Sequence, residues 1–242
     1  VITEKRHSTV NIDEVLNRFT SLCKSHSFEV NDMGDGRIFA YRKGGDKTYY
    51  MSSGIHGNEP AGPITILSMM HLNLYPKDVN ILLFPCLNVD GFKKGTRSYN
   101  GLDLNRDYKK EKSNKTELHK QIVNQFGPFD MSLCLHEDWE SDGFYIYEQC
   151  ANISYANDVI NTISKTFPIN THKTIDRHSV DRTGIIKPNK NKYKSNWSES
   201  IWLWKLGCPQ NYTIETPTET SLKDRVGVQI KACKLLMDLN KQ

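Results

Sequence analysis

Hydrophobic and polar positions along the chain follow two periods, one near 3.6 and one near 2. Over 11–25 the apolar residues Ile12, Val15, Leu16, Phe19 and Cys23 fall at helical spacing, one stripe for a core. Asn11 is placed to cap that helix, and Glu14 to close a capping box. Residues 31–36 read as a turn. Strands follow near 37–42 and 48–53, across Gly44-Gly45-Asp46. A helix is expected over about 60–74, with Pro60 and Pro63 in its first turn. The nearly continuous apolar run 79–85 predicts a strand covered on both faces, as in a mostly parallel sheet.

Residues 88–92 read as a turn, followed by a long polar loop to Tyr108. A helix over 115–126, a buried strand over 131–135 ending at His136, a short strand over 144–147 and a helix over 155–167 come next. The Lys- and Asn-rich stretch 169–196 suits a long surface excursion over a site, with Asp181, Arg182 and Lys187 as candidates for shaping a pocket. A short helix over 198–206, a strand over 212–214 running into Glu215, and an amphipathic helix over 222–239 complete the chain. Strands alternating with helices predict an α/β fold: a mixed, mostly parallel twisted sheet between helices, in one domain spanning 1–242. Ligands in such folds collect at the carboxyl ends of strands.

Composition narrows the function classes. With 37% hydrophobic and 25% charged residues, the 242-residue chain is an ordinary globular one. A net charge of +4, with no dense basic and aromatic stripe, argues against a nucleic-acid partner. No run is apolar enough to span a bilayer, so no membrane partner is expected. The six cysteines, at 23, 86, 134, 150, 208 and 233, form no Cys-x-x-Cys pair and read as reduced. No secretory signal is visible, and a cytoplasmic location is the expectation; a chain beginning at Val1 leaves a removed leader open.

Candidate chemistry starts in the loop Ser52-Ser53-Gly54-Ile55-His56-Gly57-Asn58-Glu59-Pro60. His56 and Glu59 stand at i and i+3 where a strand gives way to a helix, a spacing that lets one imidazole and one carboxylate grip a divalent metal. Zinc suits a His/Glu/His set and keeps a place for water. His136, closing a buried strand, is the third candidate ligand. The residues after it do not make a zincin motif, because position 140 is Glu rather than His; Glu137 or Asp138 can orient a ligand instead. Glu215 is the candidate general base. Asn105 and Arg106 suit a terminal carboxylate, and Arg97 suits an oxyanion.

Four separated features, His56-x-x-Glu59, Gly101-Leu102-Asp103-Leu104-Asn105-Arg106, His136 after a strand and Glu215 after the final strand, occur in the order found in zinc metallopeptidases of the carboxypeptidase A family. The chain resembles that family, in particular its compact microbial branch with the murein peptide amidases. The resemblance implies one Zn²⁺ per chain on His56, Glu59 and His136, a substrate carboxylate on Asn105 and Arg106, Glu215 as base and a sheet of about eight strands. It implies an oxyanion arginine at Arg97, with Lys94 the alternative. It implies a lid tyrosine at Tyr193, with Tyr145 or Tyr147 the alternatives.

The expected activity is hydrolysis of a C-terminal or near C-terminal amide bond of a peptide by metal-activated water and a glutamate base. The alternative is an N-acyl amino acid deacylase like aspartoacylases and succinylglutamate desuccinylases, which share the metal set and the Asn-Arg pair. Either way the partner is a peptide or acyl-amino-acid substrate with a free carboxylate. A non-catalytic peptide-binding relative would be expected to lack a ligand or the base, and this sequence keeps them all. Side-chain preference and oligomeric state are not legible.

Overall fold

The structure, a computed structural model, describes residues 10–180, 182–189 and 195–241. In chain order the elements are α1 (Ile12–Ser25), β1 (Glu29–Asp32), β2 (Ile38–Arg42), β3 (Thr48–Ser53), α2 (Ala61–His71), β4 (Asn80–Phe84), α3 (Val89–Lys94), a 3-10 turn at Leu104–Arg106, α4 (Asn114–Val123), β5 (Met131–Asp138), β6 (Tyr145–Cys150), α5 (Ala156–Ile163), β7 (Thr174–Ile175), β8 (His178–Ser179), β9 (Ile185–Ile186), α6 (Glu199–Lys205), β10 (Gln210–Pro217) and α7 (Leu222–Leu239). Asn11 caps α1 by accepting from the backbone N–H of Asp13 and Glu14, at 3.0 and 3.3 Å. The reciprocal bond from Glu14 is absent among the described residues.

Eight strands form one sheet in the order β1-β2-β4-β3-β5-β10-β6-β9. Pairing is parallel between β4 and β3, β3 and β5, β5 and β10, and β6 and β9; it is antiparallel between β1 and β2, β2 and β4, and β10 and β6. The two-residue period of each strand splits the core into two layers. Tyr49, Met51, Leu133, Leu135, Tyr212 and Ile214 pack on one side with Phe19, Ile66, Val159 and Cys233 from α1, α2, α5 and α7. Tyr50, Leu82, Phe84 and Cys134 face the other side, with Ile122, Trp202 and Leu203 from α4 and α6. By the same alternation His136 shares the face of Cys134, and Glu215 the face opposite to Ile214. Residues 136 and 215 are register partners on adjacent parallel strands.

Several elements differ from the sequence expectation, each for a physical reason. β1 occupies part of the predicted turn at 31–36; it is a largely exposed edge strand with no hydrophobic face to announce it. Residues 88–92 open a helix, α3, rather than a simple turn: Asn88 Oδ1 accepts from Gly91 N at 2.9 Å and caps it. The helix over 155–167 stops at Ile163. β5 and β10 continue through His136 and Glu215, so these residues sit within strands rather than after them. The excursion 169–196 contains a β7–β8 hairpin, whose turn residues Asp176 and Arg177 have φ of 44° and 60°. It also supplies β9, which joins the main sheet beside β6. Among the described residues no helix is long and apolar enough to cross a membrane.

Candidate metal centre and cavity

After β3 the chain leaves the sheet through Gly54, whose φ of +61° is the left-handed conformation that glycine takes without strain. Three residues on, a Cβ at Gly57 would lie 2.0 Å from the carbonyl carbon of Gly91, so only glycine lets this loop rest on α3. The backbone N–H of Glu59 donates to the carbonyl of His56 at 3.3 Å and closes the loop. Pro60 then starts α2 with no side-chain cap of its own. Glu137 supplies one from β5: its Oε1 accepts from Ala61 N at 2.6 Å, while Arg225 Nε from α7 stands 3.0 Å from its Oε2. Burial pushes the Glu137 carboxyl up to about 7, against the pull of Arg225. The cap fastens the start of α2 to β5, and therefore fastens Glu59 to His136.

His56, Glu59 and His136 are all buried and offer ligand atoms that lie within 4.8 Å of one another. Both imidazoles turn Nδ1 toward the same carboxylate, His56 at 2.6 Å from Oε1 and His136 at 3.0 Å from Oε2. Burial opposes charge on His56, but the Glu59 carboxylate, with Asp103, raises its pKa overall. Burial also opposes charge on Glu59, yet the two imidazoles hold its carboxyl well below the usual carboxylate range. A buried carboxylate flanked by two convergent imidazole nitrogens is a donor set that fits a divalent cation such as zinc. Nε2 of His56 is engaged by Asp103 Oδ1 at 3.2 Å, the carboxylate–imidazole contact that fixes ring orientation at metal sites.

The segment before α4 brings the polar groups to the same place. Asp103 Oδ1 accepts from Asn105 N at 2.9 Å and shapes the 3-10 turn. Asn105 Oδ1 accepts from the backbone N–H of Glu199, at 2.9 Å. A backbone N–H only donates, so the amide oxygen is fixed there and the NH₂ of Asn105 is left for the cavity. Arg106 Nη1 donates to the carbonyl of Asn105 at 2.9 Å. Arg97 Nη1 stands 3.3 Å from Glu59 Oε1, and its Nε 3.5 Å from Asp103 Oδ2.

A cavity of about 230 Å³ joins these groups, lined by His56, Glu59, Arg97, Asn105, Arg106, His136 and Glu215 together with Tyr145, Tyr147 and Gln149 from β6. Glu215 is half-buried in its wall. Burial pushes its carboxyl well above the usual range; His136 pulls it down, and the carboxylates of Glu59 and Asp138 push it further up. Tyr145 donates to Asp138 at 2.9 Å and Tyr147 to Asp176 at 2.7 Å, at the tip of the β7–β8 hairpin.

Seven residues singled out in the sequence, His56, Glu59, Arg97, Asn105, Arg106, His136 and Glu215, therefore meet at one cavity. Lys94 does not; it lines a separate depression with Asp90 and Tyr99. Tyr193 lies outside the described residues, as does Asp181. Neither Arg182 nor Lys187 lines the cavity, and Lys187 instead pairs with Glu148 at 3.2 Å. Glu137 touches Glu59 through its backbone N–H, at 3.2 Å, not through its carboxylate. Sequence reading gave no role to Asp103; its place two residues before Asn105 was the available signal. Gln149 carried no signal, because a Gln near the end of a short strand reads as surface.

Against solved structures the chain aligns over 95% of its length, and over 93% of the other chain, with a candidate metallopeptidase of Shewanella amazonensis SB2B, at a TM-score of 0.81 and 22% identity. A metallo-carboxypeptidase from Burkholderia cenocepacia gives 0.72 and 12%, covering 96% of this chain and 70% of the other. The fold is that of the metallocarboxypeptidases. A metallo-carboxypeptidase from Pseudomonas aeruginosa, in complex with (2-guanidinoethylmercapto)succinic acid, gives 0.67 and 14%, covering 94% of this chain and 67% of the other. The model of the succinylglutamate desuccinylase/aspartoacylase catalytic domain matches residues 45–162, a span that includes His56 through His136 and stops before Glu215. No curated protein matches the chain.

Proposed function

We propose that this protein is a zinc-dependent hydrolase that cleaves the amide bond next to a free terminal carboxylate of a peptide, a metallocarboxypeptidase. The observation that carries this reading is the convergence of a two-histidine, one-carboxylate donor set, a separate carboxylate and a donor-rich Asn-Arg pair on one cavity. His56, Glu59 and His136 would hold the metal. Zinc held there would supply a Lewis acid that acidifies water and polarises a carbonyl, and its charge would offset the push of Glu59 and Asp138 on Glu215.

The chain's own residues do the rest. Asn105 and Arg106 bind the terminal carboxylate, the amide through the NH₂ that Glu199 leaves turned to the cavity. Glu215 takes a proton from the attacking water and passes it to the leaving nitrogen as the C–N bond breaks. Arg97 donates to the oxyanion that forms on the carbonyl oxygen. Tyr145 and Tyr147 close the wall beside Glu215. The dicarboxylate held by the Pseudomonas relative agrees with a carboxylate-binding cavity.

A second reading keeps the same residues and changes the bond: release of an acyl group from an N-acyl amino acid. The match of residues 45–162 to the desuccinylase/aspartoacylase model favours it. A turnover screen separates the two. Release of C-terminal residues from peptides, lost on chelation and restored by zinc, supports the first. Release of acetate or succinate with peptides untouched replaces it with the second.

A further inference from the structure

We propose that the floor of the cavity selects substrates whose long side chain ends in a hydrogen-bond donor, an amide, amine or guanidine, and that Gln149 with Asn211 makes the selection. The choice of cleaved bond rests on the reading above; the binding preference does not.

β6 and β10 run antiparallel with Tyr145 opposite Glu215, Tyr147 opposite Thr213 and Gln149 opposite Asn211. Alternate residues share a face, so these pairs form three rungs leading from Glu215 into the protein. Gln149 lines the cavity and is only 4% exposed. Its Oε1 is buried and has no hydrogen-bond donor among the described residues. Its neighbour Asn211 is fully buried; Nδ2 donates to the carbonyl of Ser200 at 2.8 Å, which fixes the amide and leaves Oδ1 also without a donor.

Two adjacent buried acceptors lacking donors are uncommon, because each has given up its water without a replacement hydrogen bond. Turning the Gln149 amide so that its NH₂ meets Asn211 satisfies one oxygen and leaves the other at the cavity floor. In that arrangement the Gln149 oxygen faces the cavity and is the group short of a donor. The cavity is thus polarised. Donors from Arg97, Asn105 and Arg106 gather where a carboxylate would sit, and at the far rung stands the Gln149 amide with Asn211 behind it.

Charge and length refine the class. Glu148, adjacent in sequence, belongs to the opposite strand face and is engaged by Lys187 and Ser154. The floor itself presents a neutral amide oxygen, which accepts from amides and cations alike. The third rung is four residues from Glu215 along β10, about 13 Å, so short side chains fall short of it.

Calorimetric titration of the zinc-loaded protein with matched ligands tests this: Nα-acetyl-glutamine against Nα-acetyl-methionine, and Nα-acetyl-lysine against Nα-acetyl-norleucine. The donor-bearing member of each pair should bind about tenfold more tightly, the factor expected for one satisfied buried acceptor. Gln149→Leu should erase that preference, and Gln149→Glu should favour lysine over glutamine. Circular dichroism melts confirm that each variant is folded. Equal or tighter binding of the apolar ligands, a preference that survives Gln149→Leu, or no binding of either member overturns the proposal. Preserved selectivity without cleavage of any peptide overturns only the peptidase reading.

Discussion

Among the described residues two histidine-centred clusters lie buried on the same side of the sheet, and one of them opens on the cavity. In the closed cluster His119 is gripped from both ends: Tyr50 Oη lies 3.0 Å from Nε2 and Tyr108 Oη 2.8 Å from Nδ1. Tyr50 donates its own proton to Glu199, so its oxygen accepts from Nε2–H and Nδ1 accepts from Tyr108. Burial, reinforced by the charge of Arg37, holds His119 neutral, well below the usual imidazole range. In the open cluster the Nδ1 atoms of His56 and His136 converge on one carboxylate. Saturated imidazole nitrogens mark a structural histidine; convergent ones mark a ligand set.

The strongest test of that distinction removes chemistry without touching the ligands. Glu215→Gln should lower turnover by roughly 10²–10⁴-fold, the usual worth of a general base, with metal content unchanged. Wild-type turnover in that variant would remove Glu215 from the mechanism. The two histidines should then respond in opposite currencies. His119→Phe strands the Tyr108 hydroxyl and takes from Tyr50 its incoming donor, and should cost about 2–3 kcal/mol in denaturant unfolding while metal stoichiometry stays at wild-type level. His56→Ala should lose metal by elemental analysis. A folded His119→Phe protein that also lost its metal would break the comparison.

The open cluster was largely legible in the sequence, because ligand spacing in a loop and the ordered polar motifs are local signals. The α/β pattern, the buried strands and the helix Leu222–Leu239 were legible through apolar periodicity. The closed cluster was not. Tyr50, His119 and Glu199 come from three elements and Tyr108 from a loop, and none has a neighbour in sequence that hints at the others. Strand ends were read short at 136 and 215 because polar side chains there face a cavity, so the apolar run stops before the backbone pairing does. β9 and the β7–β8 hairpin are two-residue strands, below the length at which periodicity speaks.

Asp103 sharpens the comparison from the open side. It does for His56 what Tyr50 does for His119, occupying Nε2 so that the other nitrogen has a defined task. Asp103→Asn keeps the shape but weakens the hold, and should reduce metal affinity about 10–100-fold in a competitive chelator titration. An unchanged affinity would mean that Glu59 and the loop alone orient the ring.

The smallest effect is a pH dependence that only the closed cluster should show. His119 is neutral in the folded state, while in the unfolded chain it titrates near the ordinary 6.5. Below that pH the unfolded state binds a proton that the folded state does not, so stability falls as pH falls. Phenylalanine at 119 binds none. The stability advantage of the wild type over His119→Phe should therefore narrow by about 1 kcal/mol between pH 6.5 and about 5.5. Measuring both proteins metal-free, with chelator present, cancels every contribution that is common to the two. A constant difference across that window would mean that His119 accepts a proton in place, and the tyrosine–imidazole–tyrosine chain would then not have the fixed direction its geometry assigns.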